Sequence, residues 1–420
     1  MNRTAWRVAV IGAGPVGLAL ALHGARLMPD ARFTVYDSRA ADRDVSADPR
    51  TLALAEGSVM FLERLGCWQG VAALAAAPIR SVHVSQMPPS PGQPEVLIEA
   101  AALGVRQLGA VIGYGALVAP LQRAWLAAVA AEPGRLALRF GAPVAALDAA
   151  AGEVTVRVGA DGADGAGGAG GAGGAGAGTA AQPYDLAIVA EGGVFAEQAR
   201  KAVRHDYRQT AWVGTLELEG GSAPEVHARA YERFTRQGPA ALLPLPAAGA
   251  GGRRRAALVW CVDAAADPVR ALAPAQRLAL LNTVFPEEAG RIVALSPLAD
   301  FALGLNAERT LVDGRIVRIG NAAQTLHPVA GQGLNLGLRD AHALVAALRH
   351  ADDLERALGA VEWARAPDRW ATIAVTDFLA RSFTWSLPGL AALRAAGLAA
   401  VQHVPPLKTA LARRLMFGGR

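Results

Sequence analysis

The run Arg7-Val8-Ala9-Val10-Ile11-Gly12-Ala13-Gly14-Pro15-Val16-Gly17 constrains the fold of this chain more than any other stretch. Arg7 to Ile11 is short and rich in Val and Ile, which predicts a buried parallel strand. Gly12, Gly14 and Gly17 then give the G-x-G-x-x-G spacing. The first glycine permits a tight turn, the second lets backbone approach a pyrophosphate, and the third allows helix and strand to pack closely. Pro15 opens a predicted helix running to Leu27, whose N-terminal amides and positive dipole end face the phosphates. Arg32 to Tyr36 reads as the next strand, ending at Asp37. A carboxylate there can accept from ribose hydroxyls and argues against a 2′-phosphate. A glycine-rich turn in a glycine-rich chain is the bland alternative. The strand before, the helix after and the acid at the expected offset favour a dinucleotide site, without separating NAD from FAD.

A second glycine loop, Gly320-Asn321-Ala322-Ala323-Gln324-Thr325-Leu326-His327-Pro328-Val329-Ala330-Gly331-Gln332-Gly333-Leu334-Asn335-Leu336-Gly337, makes that separation. It leads into a predicted helix, Leu334 to Leu348. Glycines at that position let backbone amides reach a planar ring or phosphate. A helix N-terminus aimed at a flavin's pyrimidine edge would stabilise negative charge on the reduced ring. Taken together, the two loops read as two walls of one FAD site.

Between them the pattern changes. Arg50 to Leu65 reads as a helix stopped by Gly66, and Ala116 to Ala131 as a second long helix. Ser81 to Ser85 and Val96 to Glu99 look like strands of a different sheet, and Leu186 to Val189 like a buried strand. Gly159 to Gly178 is almost pure Gly and Ala and is expected to be a flexible insertion. Residues from Arg200 to Asp300 carry alternating strands with Pro and Gly turns, predicting a mostly antiparallel sheet. Helical patterns then run to the C-terminus, broken at Pro388 and Pro405-Pro406.

Both loops resemble those of the group A flavoprotein aromatic hydroxylases, and most of all the ubiquinone-biosynthesis hydroxylases. Within these, Gly320 to Gly337 is similar to the 2-polyprenyl-6-methoxyphenol hydroxylase branch. Asp48 to Leu54, Tyr231 to Pro239, Leu258 to Cys261 and the tail Leu411 to Gly418 fit the same branch. The resemblance covers nearly the whole chain except the Gly/Ala insertion. It implies an α/β fold: a Rossmann-like FAD-binding domain, an inserted mostly antiparallel β-sheet substrate domain and a C-terminal helical region. The expected FAD-binding parts are residues 1–75, 106–200 (with the insertion at 159–178) and 306–348. The expected substrate-domain parts are 76–105 and 201–305, and the helical region is 349–420.

The resemblance also assigns roles by position. Arg50 would contact the flavin side of the cofactor. Gly320 and Asn321 would lie beside the ribityl chain, although many relatives carry Asp where this chain has Asn321. Pro328, Gly331, Gln332, Gly333, Leu334 and Asn335 would line the isoalloxazine, with Pro328 and Gln332 nearest the chemistry. Relatives carry Asp-Gly after the strand corresponding to Leu186 to Val189; here it is Glu191-Gly192. His327 has two readings: a base that helps form a phenolate, or a structural histidine shaping the loop before Pro328. The second is slightly favoured.

The implied activity is ring hydroxylation of a polyprenylated phenol. NAD(P)H reduces FAD, oxygen adds at flavin C4a, and the hydroperoxide delivers one oxygen atom to the ring. Two rival readings are a flavin-dependent reductase or dehydrogenase that inserts no oxygen, and a non-catalytic flavin-binding subunit of a quinone-synthesis protein complex. Lys plus Arg exceed Asp plus Glu by 41 − 36 = 5, which identifies no nucleic-acid binder, and no nucleic-acid motif accompanies the excess. Cys67 and Cys261 lack metal-ligand spacing, so no metal is expected, and a reducing cytoplasm is the simplest compartment. No uninterrupted apolar stretch reads as a membrane span. The basic, apolar tail from Gly389 reads most simply as packed helix. The resemblance adds an expectation of peripheral membrane contact, because a polyprenyl substrate lives in the bilayer.

Overall fold

The structure is a computed structural model of the 420-residue chain. It describes residues 5–46, 48, 50–70, 75–87, 95–159, 181–192, 201–220, 224–247, 252–382, 384 and 389–419. The expected Gly/Ala insertion beyond Gly159 and the break at Pro388 lie outside these residues.

A six-stranded sheet carries the first glycine loop. Its order is Val312–Asp313, Ile316–Arg318, Leu186–Val189, Arg7–Ile11, Arg32–Tyr36, Leu136–Arg139. All its pairings are parallel except that of the short edge strand Val312–Asp313. Both faces are covered, which is why its strands are continuous apolar runs. Val8 and Val10 pack with Leu18, Leu117 and Trp125 of the helices Pro15–Leu27 and Tyr114–Ala131. Ala9 and Ile11 face a three-stranded antiparallel sheet through Val154, Val156 and Tyr184. The chain leaves Arg7–Ile11 toward Arg32–Tyr36 on one side and returns as Leu186–Val189 on the other. That reversal opens a crevice at the carboxyl ends of the strands, the usual ligand position in such sheets.

A nine-stranded, mostly antiparallel sheet forms the second layer system. The long strand Lys201–Glu219 pairs with Ala299–Glu308 on one side and Arg254–Asp263 on the other. Pro239–Leu245, Arg229–Phe234, Ser81–Gln86 and Val96–Glu99 continue the order. The pairing of Arg229–Phe234 with Ser81–Gln86 is parallel. One face buries Trp212, Leu216 and Trp260 beneath the helix Pro274–Val284.

One expectation is corrected. Arg50 to Leu65 is not a single helix: Thr51–Ala55 is a strand and Glu56–Arg64 the helix. The run Thr-Leu-Ala-Leu-Ala satisfies either period, and pairing with Gly109–Gly113 decides for the strand. The C-terminal region holds the helices Gln332–Leu348, Leu354–Ser382, Leu390–His403 and Pro405–Phe417. Among the described residues no helix is long and apolar enough to cross a membrane.

Candidate active site

The first loop is built for close approach. A Cβ on Gly17 would lie 2.0 Å from the Gly12 carbonyl oxygen, so helix and turn touch only because Gly17 has none. Gly14 differs: the nearest atom to an added Cβ is the Tyr114 hydroxyl at 3.7 Å, which leaves space above the helix N-terminus. Asp37 stands at the strand end as expected, buried, and accepts from the Ala13 amide at 2.7 Å. Its other partner was not foreseen. Arg39 donates from its amide and Nε to Oδ1, from Nη2 to Oδ2, and from Nη2 to the Ala13 carbonyl. The carboxylate is therefore filled by the protein, and a ribose hydroxyl reaches it only by displacing part of the guanidinium.

Glu191 and Gly192 follow the neighbouring strand into the same crevice. An added Cβ on Gly12 would lie 3.0 Å from Glu191, and one on Gly192 3.1 Å from Asn321. Burial, with the Asp37 charge second, pushes the Glu191 carboxyl above the usual carboxylate range. Arg50 is largely exposed, pairs with Asp48 at 2.8 Å and stacks 4.2 Å from the centroid of the Tyr114 ring. Through Tyr114 it stands beside the space above Gly14. Tyr114 escaped the sequence reading because an aromatic at a helix start carries no distinguishing signal.

The two loops meet. A Cβ on Gly337 would lie 2.8 Å from the Gly320 Cα and 3.0 Å from Val16 of the first loop's helix. Ala330 and Gly331 are both left-handed, at φ 61° and 59°, and turn the chain into the helix Gln332–Leu348. A non-glycine residue there costs about 1–2 kcal/mol. Asn335 holds the turn in place. Its Nδ2 donates to the carbonyls of Gly331 and Ala53, and its Oδ1 accepts from the Ala55 amide and the Ser58 hydroxyl. All its hydrogen-bonding capacity is used on protein, so it positions the loop. Leu334, expected to line the ring, packs its half-buried side chain against the hydrophobic core. Gln332 donates to the Ala330 carbonyl at 3.1 Å, while its Oε1 is buried without a partner. Nothing lies within 4 Å of an added Cβ on Gly333. An orphaned acceptor, open space at a helix N-terminus and the cleared ground over Gly14 fit a long cofactor with a ring at one end and phosphates at the other.

His327 is corrected as a catalytic candidate. Its Nδ1 accepts from the Val329 amide at 3.2 Å, so Nε2 donates to Gln209 Oε1 at 2.9 Å. Both nitrogens are occupied, and burial pushes its pKa down to about 4. It is a neutral, structural residue. Behind the loop lies a buried polar clamp that sequence reading missed. Arg365 bridges Asp340 and Asp368, and Arg369 donates to Gln324 and the Glu308 carbonyl. Arginines on a long helix read as solvated, and only the fold shows them enclosed.

A cavity of about 770 Å³ opens from the second loop. It is lined by Pro328 to Gln332 and Asn335, by the nine-stranded sheet, and by Leu398, Val401, Leu415 and Met416 of the tail helices. The tail is held there by Leu97 and Lys408: the Leu97 amide donates to Gln402, and Lys408 donates to the Leu97 carbonyl.

Comparison with known proteins agrees with this geometry. Residues 279–354 match the FAD binding domain family. The chain is 36% identical over 217 residues to the ubiquinone hydroxylase UbiL of Rhodospirillum rubrum, covering 50% of this chain and 48% of that protein. It is 28% identical to the 3-demethoxyubiquinol 3-hydroxylase of Escherichia coli across 97% of both. It is 30% identical to human mitochondrial ubiquinone biosynthesis monooxygenase COQ6, over 49% of this chain and 51% of that protein. The match thus spans about half the length of UbiL and COQ6. Klebsiella pneumoniae HpxO complexed with FAD and uric acid shares the fold over 98% of both chains, at TM-score 0.71 and 18% identity. The p-nitrophenol 4-monooxygenase PnpA of Pseudomonas putida does so over 99% of both, at TM-score 0.72 and 15% identity.

Fold and site define a flavoprotein with the architecture of FAD-dependent monooxygenases. Within that class, the chain is similar to FAD hydroxylases of ubiquinone biosynthesis.

Proposed function

We propose that this protein uses NAD(P)H and O2 to hydroxylate the ring of a polyprenylated phenol in ubiquinone biosynthesis, with a 2-polyprenyl-6-methoxyphenol as the preferred substrate. The observation that carries this reading is the apolar cavity running from the Pro328–Gln332 loop to the tail helices. Its volume falls within the usual range for small-molecule sites, and its mostly apolar lining suits a phenol ring that carries a prenyl chain. Ubiquinone-pathway relatives support the choice of pathway.

FAD, when bound, stores the electrons and activates the oxygen. The protein's residues do the rest. Space above Gly14 and Gly333 admits the two ends of the cofactor, and the N-terminus of Gln332–Leu348 favours negative charge on the ring. Asn335 and the left-handed pair Ala330-Gly331 fix the loop against the strand Thr51–Ala55. Apolar walls keep water from the reacting centre. NAD(P)H meets the flavin transiently, in keeping with the single nucleotide fingerprint.

The cavity mouth bears Val375, Phe378 and Leu393, which are 39%, 58% and 67% exposed. An apolar rim around an apolar cavity supports delivery of the substrate from a bilayer or from a partner in a quinone-synthesis complex. The test is incubation of purified protein with FAD, NAD(P)H and the prenylated phenol under ¹⁸O2. One labelled oxygen in the product ring is expected. Unlabelled product would replace oxygen insertion by hydride transfer.

A further inference from the structure

The sheet wall of the cavity is assembled by strand alternation. Inward positions include Val82, Val84, Ala230, Phe234, Ala241 and Val259, all apolar. Glu232 occupies an inward position among them. Its cross-strand neighbours are Ala241 on one side and Val84 on the other. Among the described residues its carboxyl makes no hydrogen bond or ion pair, and Glu232 lines the cavity. Half-buried and desolvated by the apolar wall, the carboxyl has its pKa pushed up to about 8.

Its position relative to the second loop is set by Phe234, which packs on Val329. Glu232 precedes Phe234 by one pleat repeat on the same face, roughly 7 Å along the strand. Pro328, Val329 and Gln332 line the same cavity. A carboxyl on an otherwise apolar wall, one repeat from the cofactor loop, faces whatever ring enters. A half-buried carboxyl lining an apolar cavity offers a hydrogen-bonding group to a ligand that enters there.

We propose that Glu232 is the substrate-contacting residue of this cavity, and that its carboxyl binds the hydroxyl of a phenol whose apolar tail extends toward the C-terminal helices. The assignment rests on the hydroxylase reading for the identity of its ligand. It predicts selectivity: removing the ligand's hydroxyl leaves the carboxyl desolvated and unpartnered, whereas removing the carboxyl makes the cavity indifferent to that hydroxyl.

The experiment uses the FAD-loaded full chain and two probes, ortho-geranylphenol and its methyl ether, titrated calorimetrically. Wild type is expected to prefer the phenol by roughly tenfold or more. Glu232→Leu should bind both probes alike, with ether affinity at or above that of wild type. Glu232→Gln should keep part of the preference, because its amide carbonyl still accepts. Unchanged flavin content and a cooperative melt show that each variant is folded. A Glu232→Leu protein that retains the phenol preference overturns the assignment, as does a wild type without it. A wild type that shows the preference, with the variants behaving as stated, but incorporates no labelled oxygen removes the hydroxylase reading and leaves the contact standing.

Discussion

Gly14 and Gly17 belong to one motif but meet opposite demands. Gly17 is forced by the protein itself, since a methyl there would meet the Gly12 carbonyl oxygen at 2.0 Å. Gly14 has room for a methyl in the folded chain, and on the proposed reading that space is left for the cofactor. Gly17→Ala should therefore destabilise the fold by about 1–3 kcal/mol or more in chemical denaturation. Gly14→Ala should melt like wild-type apoprotein yet bind FAD more weakly, as read by flavin fluorescence; equal loss of stability in both would contradict this division. His327 makes a separate prediction. Its folded pKa is depressed to about 4, so the unfolded chain takes up a proton first as pH falls. The native state then loses stability between the ordinary histidine value near 6.5 and about 4, by up to the order of 3 kcal/mol. His327→Gln should lack that part of the acid slope in pH-dependent denaturation curves, whatever its stability at neutral pH.

At the scale of elements, the strand–turn–helix unit and the second loop were legible because glycine spacing and helix period report local geometry. The strand Thr51–Ala55 was not, since its sequence suits two periods and a distant partner, Gly109–Gly113, chooses between them. The same strand accounts for the Asn335 side chain: position within a motif places the residue by the ring, and its hydrogen bonds to Ala53, Ala55 and Ser58 are not legible from that motif. Arg39 and the Arg365–Asp340 clamp were missed for a related reason, because charged residues declare their partners only once folded. Asn335→Ala strands two donors and two acceptors, so it should cost about 1–3 kcal/mol. It should also weaken FAD binding without touching the cofactor. Stability and FAD affinity measured on one sample check this, and a loss in affinity alone would instead mean direct contact.

Across the whole molecule, alternation in sequence foretold a second sheet, but the cavity belongs to no single stretch. It needs the sheet, the Pro328–Gln332 loop and the tail helices together. Glu232 shows what that costs. The unfolded chain releases its carboxyl proton in the ordinary range, whereas the fold holds it until about 8. Stability contributed by the neutral acid is thus full at low pH, falls as pH rises through that window and is lost above it. Glu232→Gln should be more stable than wild type by a margin that grows over this window to on the order of a few kcal/mol. A margin independent of pH, measured by denaturation across the range, would contradict the desolvated-acid reading.

The contact of Gly337 with Gly320 and Val16 ties both glycine loops into one site. Titrating apoprotein with FAD tests that convergence most directly. One equivalent should bind, with Gly14→Val and Gly333→Val each abolishing uptake while the apoprotein stays folded. A wild type that takes up no flavin, or a folded Gly333→Val that binds it as well as wild type, would contradict the account.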